Sequence, residues 1–371
     1  MWKRWGIWAL LLLAAGVLYL FENNAASMSL LVAAAAVPGL CMLPLLFAKR
    51  MDITLTLPER CDCGAPVVGS IGIPHRLRLP LSITAELDIQ NTRTDEHQRL
   101  HFAISGKKND FTIQSEHCGR AQITVSSLRL EDPFGLAHRT IRADQTASMR
   151  VLPRLFTPHV IVTETAFSQP DSDRFAPDKP GGDPSETFGI REYRPGDSIK
   201  TIHWKLSQKS TKPVVRELSL PVLQKVLLLL VSRPASPEAQ HSMTTAVLSI
   251  SAALLAQGVE HTLGWVLPNG AAPALYSIEN DVQYAVAFDA LLAAPVFPDA
   301  ALSPESRASG GFAHVAVFSA ASISGLTDLY NGSRVTLLLC GGAGEGLADD
   351  GVHLHGFDSE DPSKQLMELE L

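Results

Sequence analysis

Cysteine is scarce in this chain, and its placement leaves most cysteine chemistry out of reach. The 371 residues include five: Cys41 in an apolar run, Cys61 and Cys63 as C-x-C, and Cys118 and Cys340 alone. A metal site built from two cysteine pairs needs a second pair, which is missing, and the spacings fit reduced structural thiols. A basic excess is missing too. Lys and Arg total 31 against 38 Asp and Glu, a net charge of −7, which argues against a general nucleic-acid binder. Phosphate and hydrolase signatures are absent as well. "CGGAGEG", Cys340 to Gly346, is glycine-rich but has no Lys-Ser/Thr after it, so it reads as a loop after the strand "RVTLLL" whose amides can at most approach an anion. No G-x-S-x-G nucleophile elbow occurs. These absences leave no catalytic set and imply no cofactor and no metal.

Apolar sequence, by contrast, is abundant in one place. The composition is 46% apolar with a mean hydropathy of +0.11, and the excess sits in the first 48 residues. Trp5 to Phe21 is an uncharged run of 17 residues and Ala25 to Ala48 a second of 24. Each is near the length that crosses a hydrocarbon core as a helix. Only Glu22-Asn23-Asn24 separates them, which suits a tight helical hairpin, and Pro38 and Pro44 are tolerable in such a helix. A cleaved signal peptide is the rival reading, since Lys3 and Arg4 precede the first run. No convincing small-x-small cleavage site follows it, and the second run starts at once. Lys3 and Arg4 before the first run and Lys49 and Arg50 after the second place both ends in the cytoplasm by the positive-inside rule. The expectation is a multi-pass protein of the bacterial inner (plasma) membrane with a cytoplasmic soluble part.

Four segments follow from the pattern: a transmembrane hairpin over 1–50, a β-sandwich over 51–152, a linker and signature segment over 153–221, and an α/β domain over 222–371. In the second segment "DITLTL", "HRLRLPLSITAELDIQN", "RLHFAI", "DFTIQS" and "AQITVSSLRLED" alternate apolar and polar residues between turn-prone breaks, which predicts short antiparallel strands in an immunoglobulin-like sandwich. "EDPFGL", Glu131 to Leu136, reads as a structural hairpin turn. Residues 165–187 are rich in Pro, Gly, Asp and Ser and read as a linker or mobile loop. Past Leu218, "QKVLLLLVS" suits a strand buried on both faces. A helix follows, with Ser236 as its cap, Pro237 at the first position and Gly258 at its stop. "HTLGWVL", "AHVAVFSA" and "RVTLLLC" read as further strands and "VQYAVAFDALLAA" as a second helix, implying a doubly wound three-layer domain.

Between these segments lies Ser185 to Leu218, where seven positive charges (Arg191, Arg194, Lys200, Lys205, Lys209, Lys212, Arg216) interrupt an acidic chain. Arg194-Pro195-Gly196-Asp197 is a tight turn: Pro195 presets φ, Gly196 takes the permissive position and Asp197 bonds back onto it. Ile199 and Ile202 then fall at packing positions, and Trp204 serves as an anchor with its indole N–H bonded. Arg191 with Arg194 can bind a carboxylate or phosphate, or Glu192 and Asp197 can neutralise them from within as an ion-pair network. His203 is an imidazole with no fixed nucleophile partner, a weak catalytic candidate.

The run "REYRPGDSIKTIHWKLSQKS", Arg191 to Ser210, resembles the signature of the domain-of-unknown-function 58 family. The wider frame is similar over nearly the whole chain: two spans, a β region with "DPFGL" (Asp132 to Leu136), the signature, then an α/β domain. The resemblance implies a C-terminal part like a von Willebrand factor type A domain. It implies partnership with a MoxR-type AAA+ ATPase, and sometimes with transglutaminase-like membrane proteins, in a chaperone-like assembly role. Under it, Arg191, Glu192, Tyr193, Pro195, Gly196, Asp197, His203, Trp204 and Lys205 are the candidate interaction residues. Type A domains that hold Mg²⁺ carry Asp-x-Ser-x-Ser after their first strand; here Ser232-Arg233-Pro234-Ala235-Ser236 has no Asp, and Arg233 brings a positive charge, so no metal is expected. The leading expectation is a membrane-anchored cytoplasmic adaptor and not an enzyme. The alternatives are a structural subunit of a cell-envelope assembly and a membrane-proximal hydrolase.

Overall fold

The structure is a computed structural model that describes residues 2–47, 52–73, 81–162, 175–181, 183–209, 212–221, 226–232, 235–297, 302–303, 307–308, 311–342, 345–347 and 351–371. The chain divides into two compact units, Met1–Leu152 and Pro153–Leu371.

The first unit begins with helices α1 (Trp2–Glu22) and α2 (Ala25–Phe47). Both are long and apolar enough to cross a membrane. The turn between them is set by its two asparagines. Asn23 takes φ 41°, a left-handed conformation that asparagine tolerates better than most residues. Asn24 Oδ1 then accepts the Ser27 amide at 2.7 Å, satisfying one of the free N–H groups at the start of α2.

Eight strands follow: β1 (Thr54–Thr56), β2 (Arg60–Asp62), β3 (Pro66–Gly72), β4 (Ser82–Asn91), β5 (Glu96–Ile104), β6 (Lys108–Gln114), β7 (Gly119–Glu131) and β8 (His138–Leu152). They form two sheets, ordered β1-β3-β6 and β2-β8-β7-β4-β5. Alternation along each strand turns one face inward, so Val67, Ile71, Phe111 and Ile113 of the first sheet meet Ile83, Leu87, Ile123, Leu128 and Met149 of the second in one core. The described strands between residues 54 and 152 thus form a β body of two sheets; the part of "HRLRLPLSITAELDIQN" at residues 74–80 lies outside the described residues.

Asp132 organises the "DPFGL" turn between β7 and β8. Its carboxylate accepts the amides of Phe134 (3.0 Å) and Ala137 (2.6 Å), and its carbonyl accepts that of Gly135 (2.9 Å). Gly135 has φ 64°, and the Arg4 side chain of α1 occupies the space a Cβ would take. The turn therefore also meets the helices. Trp5 Nε1 donates to Leu136 O at 2.9 Å, Trp8 stacks on Phe134 with centroids 5.7 Å apart, and Arg139 Nη1 donates to the Leu45 and Leu46 carbonyls at the end of α2.

The second unit starts with β9 (His159–Ile161), then β10 (Phe175–Gly181), β11 (Asp183–Glu192) and β12 (Val214–Pro221), which form an antiparallel sheet ordered β10-β12-β11. This corrects part of the sequence reading. Residues 163–174 of the expected linker lie outside the described residues, but 175–181 and 183–192 are strand. Composition argues against a core there, and pairing with β12 supplies the order instead. A short helix α3 (Trp204–Ser207) sits between β11 and β12.

Next come β13 (Val226–Leu230), α4 (Pro237–Ala256), β14 (His261–Trp265), β15 (Ala274–Ile278), α5 (Asp281–Ala293), β16 (His314–Ser319), α6 (Leu326–Leu329), β17 (Arg334–Cys340), β18 (Glu345–Leu347), β19 (His353–Phe357) and β20 (Glu368–Glu370). Seven of these make one sheet, ordered β15-β14-β13-β16-β17-β19-β18. Its five central strands are parallel, and the flanking β15 and β18 are antiparallel. Counted in chain order, the parallel strands run 2-1-3-4-5, a doubly wound order with its switch point between β13 and β16. All five residues of β13 are buried, as expected for a strand covered on both faces. Leu227 and Leu229 join a core with Leu326 and Tyr330, and their neighbours in the strand point to the opposite face. The expected cap of α4 is formed: Ser236 Oγ accepts the Ala239 amide at 3.2 Å, Pro237 begins the helix, and Gly258 follows it at φ 74°. The C-terminal strand β20 pairs with β9 in parallel.

Candidate functional site

The signature segment runs from the end of β11 through α3 into β12. Tyr193 N bonds Pro213 O at 2.9 Å and His203 N bonds Val214 O at 2.8 Å, so both ends of the excursion are tied to β12. Between them, the Arg194–Asp197 turn closes with Asp197 N on Arg194 O at 3.0 Å. Gly196 takes φ 108°, which only glycine adopts readily, and Pro195 precedes it.

The turn delivers Asp197 to Arg191. Arg191 Nη1 and Nη2 donate to the two Asp197 oxygens, each at 2.7 Å, a bidentate fork. Arg191 Nε donates to Glu217 Oε1 at 2.9 Å, and Nη1 also reaches the Glu192 carbonyl at 3.2 Å. Asp197 Oδ2 accepts the Arg194 amide at 2.8 Å. The Arg191 fork holds Asp197 well below the usual carboxylate range, at about 2, and the Arg194 amide adds to this. Arg191 is pushed up in turn, chiefly by its hydrogen bonds to Asp197. Of the two uses the sequence left open for Arg191, internal neutralisation is the one realised. Its guanidinium is committed to protein carboxylates, and Arg194 contributes a backbone amide to the clamp. Glu192 turns instead to Lys212, Oε2 to Nζ at 2.9 Å, where both side chains are exposed.

Glu217 completes the clamp and was not singled out from the sequence. It lies on β12 beside Gly189 of β11, 26 residues from Arg191, and no local motif marks it. Only the β11–β12 register brings it to the site.

Beyond the clamp, the packing expected of the apolar residues fails. Ile199 is 69% exposed and Trp204 62%, so neither is an anchor, and Leu206 is exposed as well. Ile202 alone is half-buried, in a bridge with Val215. The physical reason is geometric: Ser198 and His203 cap two very short helices, Ile199–Thr201 and α3, which leave little surface on which to bury a side chain. His203 Nδ1 accepts the Leu206 amide at 3.3 Å as that cap. Among the described residues no hydroxyl, thiol or carboxylate is hydrogen-bonded to its ring. Ser207 Oγ bonds the His203 carbonyl and the Val214 amide, a backbone brace between α3 and β12. Lys200 and Lys205 are exposed beside the apolar residues. What the arrangement offers is a braced, protruding segment with apolar and basic side chains turned outward.

At the switch point of the parallel sheet, Ser232 and Ser319 are buried, and Ser319 Oγ closes on the Ala321 backbone. Arg233 and Pro234 lie outside the described residues. Among the described residues no group of three or more His, Cys, Asp or Glu side chains is gathered to hold a metal. Cys61 and the buried Cys63 are not joined in a disulfide, and burial pushes the Cys61 thiol up.

No protein-family model matches the chain, and no curated protein matches it. Among solved structures it is similar to the cohesin module of a Clostridium perfringens family 33 glycoside hydrolase, at 8% identity and TM-score 0.21 over 28% of this chain and 98% of the other. A β-glucosidase from Listeria innocua matches at 7% identity and TM-score 0.18, over 29% of this chain and 17% of that one. The CARDB domain of a Pyrococcus furiosus protein matches at 11% identity and TM-score 0.16, over 29% of this chain and 93% of that one. Scores this low carry no argument about function.

Proposed function

We propose that the protein is a membrane-anchored cytoplasmic adaptor whose signature segment docks a partner, and that the partner is a MoxR-type AAA+ ATPase. One observation carries the docking role. Trp204 and Ile199 are largely exposed on a segment that the Arg191–Asp197–Glu217 clamp braces from beneath. Exposed large aromatics held on a rigid base are what interfaces use as anchors, because little side-chain entropy is lost on binding. The two apolar helices supply the tether, and Lys3 and Arg4 favour a cytoplasmic body. The choice of partner rests on the resemblance of Arg191–Ser210 to the domain-of-unknown-function 58 signature. The alternation along residues 51–152 reads the first β body as immunoglobulin-like, and the same resemblance reads the seven-stranded sheet as von Willebrand factor type A-like. A transglutaminase-like membrane protein is a further partner within this reading.

The test is affinity capture of the intact chain from detergent-solubilised membranes, beside Arg191→Ala and Asp197→Ala. An AAA+ ATPase should co-purify with the intact chain and be depleted by either variant. Its absence from the intact sample would remove the partner assignment. Capture of only envelope membrane proteins would favour a structural subunit instead.

A further inference from the structure

We propose that the Pro133-Phe134 turn of the β-sandwich inserts into the interfacial layer of a lipid bilayer, making the sandwich a membrane-apposed body. The inference rests on the reading of α1 and α2 as membrane spans, and it adds a third point of lipid contact that the helices alone do not require.

The geometry behind it is local to the first unit. The 132–136 turn touches the beginning of α1 and lies beside the end of α2, the two places where a helical hairpin leaves the hydrocarbon on one side. At α1, Arg4 covers Gly135, the Trp5 indole donates to Leu136 O, and Trp8 stacks on Phe134 with an interplanar angle of 23°. At α2, the Arg139 guanidinium donates to the Leu45 and Leu46 carbonyls. These contacts fix the depth of the turn. Trp8 lies three residues beyond Trp5, roughly 4.5 Å deeper along the helix axis. Phe134 is stacked at that deeper level, past the cationic Lys3 and Arg4.

Phe134 nevertheless remains 47% exposed, and Pro133 is exposed beside it. A single exposed aromatic on a soluble surface needs no explanation. Phe134 differs because Trp8 stacks on it and Trp5, 44% exposed, bonds the carbonyl of Leu136 in its turn, at the start of an apolar helix. Aromatic rings gather where headgroups meet acyl chains, since an apolar body and a polar edge are both satisfied there. Phe134 stacks on Trp8 of a helix read as a membrane span and stays half-exposed there, so the occupant is the acyl–headgroup boundary of the same bilayer.

The experiment places an environment-sensitive fluorophore on single cysteines of the full chain reconstituted in phosphatidylcholine–phosphatidylglycerol vesicles. The background carries Cys41→Ser and Cys61→Ser, which leaves buried thiols only. Labels go at Phe134→Cys, at the adjacent Pro133→Cys in case the first variant disturbs the turn, at Leu13→Cys within α1, and at Gln98→Cys. Gln98 pairs with Ile89, seven residues along β4 from Ser82, which pairs with Glu131. It thus stands ~23 Å from the turn along the strand direction. Lipids brominated near the headgroup end of the acyl chain should quench position 134 or 133 several-fold more than position 98. Quenching at Leu13 with both turn positions matching Gln98 would overturn this inference and leave the spans intact. No quenching at Leu13 would overturn both.

Discussion

Asp197 receives two guanidinium N–H groups and a backbone amide within one turn, and every donor depends on a neighbour in sequence. Its folded pKa of about 2 lies below the ordinary carboxylate value. A depressed carboxylate contributes stability that is fully present above its unfolded pKa and is lost as pH falls through the folded value. Local order around α3 should therefore persist at neutral pH and fade between about pH 4 and pH 2, read by acid titration of Trp204 emission. Asp197→Asn should abolish that transition; an unchanged titration would mean another group drives it. The Pro-Gly-Asp turn was legible because Pro195 and Gly196 each impose a backbone angle by themselves. The exposure of Trp204 was not, because burial depends on surfaces brought in by β12. Gly135 is a second residue-scale test. At φ 64° any side chain is strained by about 1–2 kcal/mol. Gly135→Ala also displaces Arg4, so it should lower the thermal midpoint of the first unit.

At the scale of elements, α4 and β13 show where sequence and structure coincide. The Ser236 cap, Pro237 and Gly258 act within one helical turn of each end, so their effect reads directly from the chain. Ser236→Ala should destabilise the second unit by about 1 kcal/mol, measured by denaturant titration. Leu228→Ala, in the middle of the fully buried β13, should cost more, about 2–5 kcal/mol, by leaving a cavity the sheet cannot close. If the two variants prove equal, the central strand is less tightly packed than its burial implies. Strands β10, β11, β15, β18, β19 and β20 were not legible. They are short, glycine-bearing or polar, and only the register with β12, β14, β17, β19 or β9 makes them strands. The hairpin α1–α2 needed no such partner, since a long apolar run specifies a helix by itself.

For the whole molecule, the two units divide the labour of the proposed function. The first carries the apolar helices and a sandwich whose 132–136 turn meets them. The second carries the doubly wound sheet and, joined to it in the same unit, the signature segment. The sequence reading set the signature apart, within a linker and signature segment over 153–221, from the α/β domain. The structure places it in the second unit, where β11 and β12 hold it and Arg191 bonds Glu217 across them. A docking surface anchored in that way presents Trp204 in one orientation, which a flexible linker would not. The most direct test is a photoreactive side chain at position 204 of the intact chain, irradiated in native membranes, with position 98 as the comparison. The account expects an adduct with an AAA+ ATPase from 204 and none from 98. No adduct at 204, or the same adducts from both positions, would contradict it.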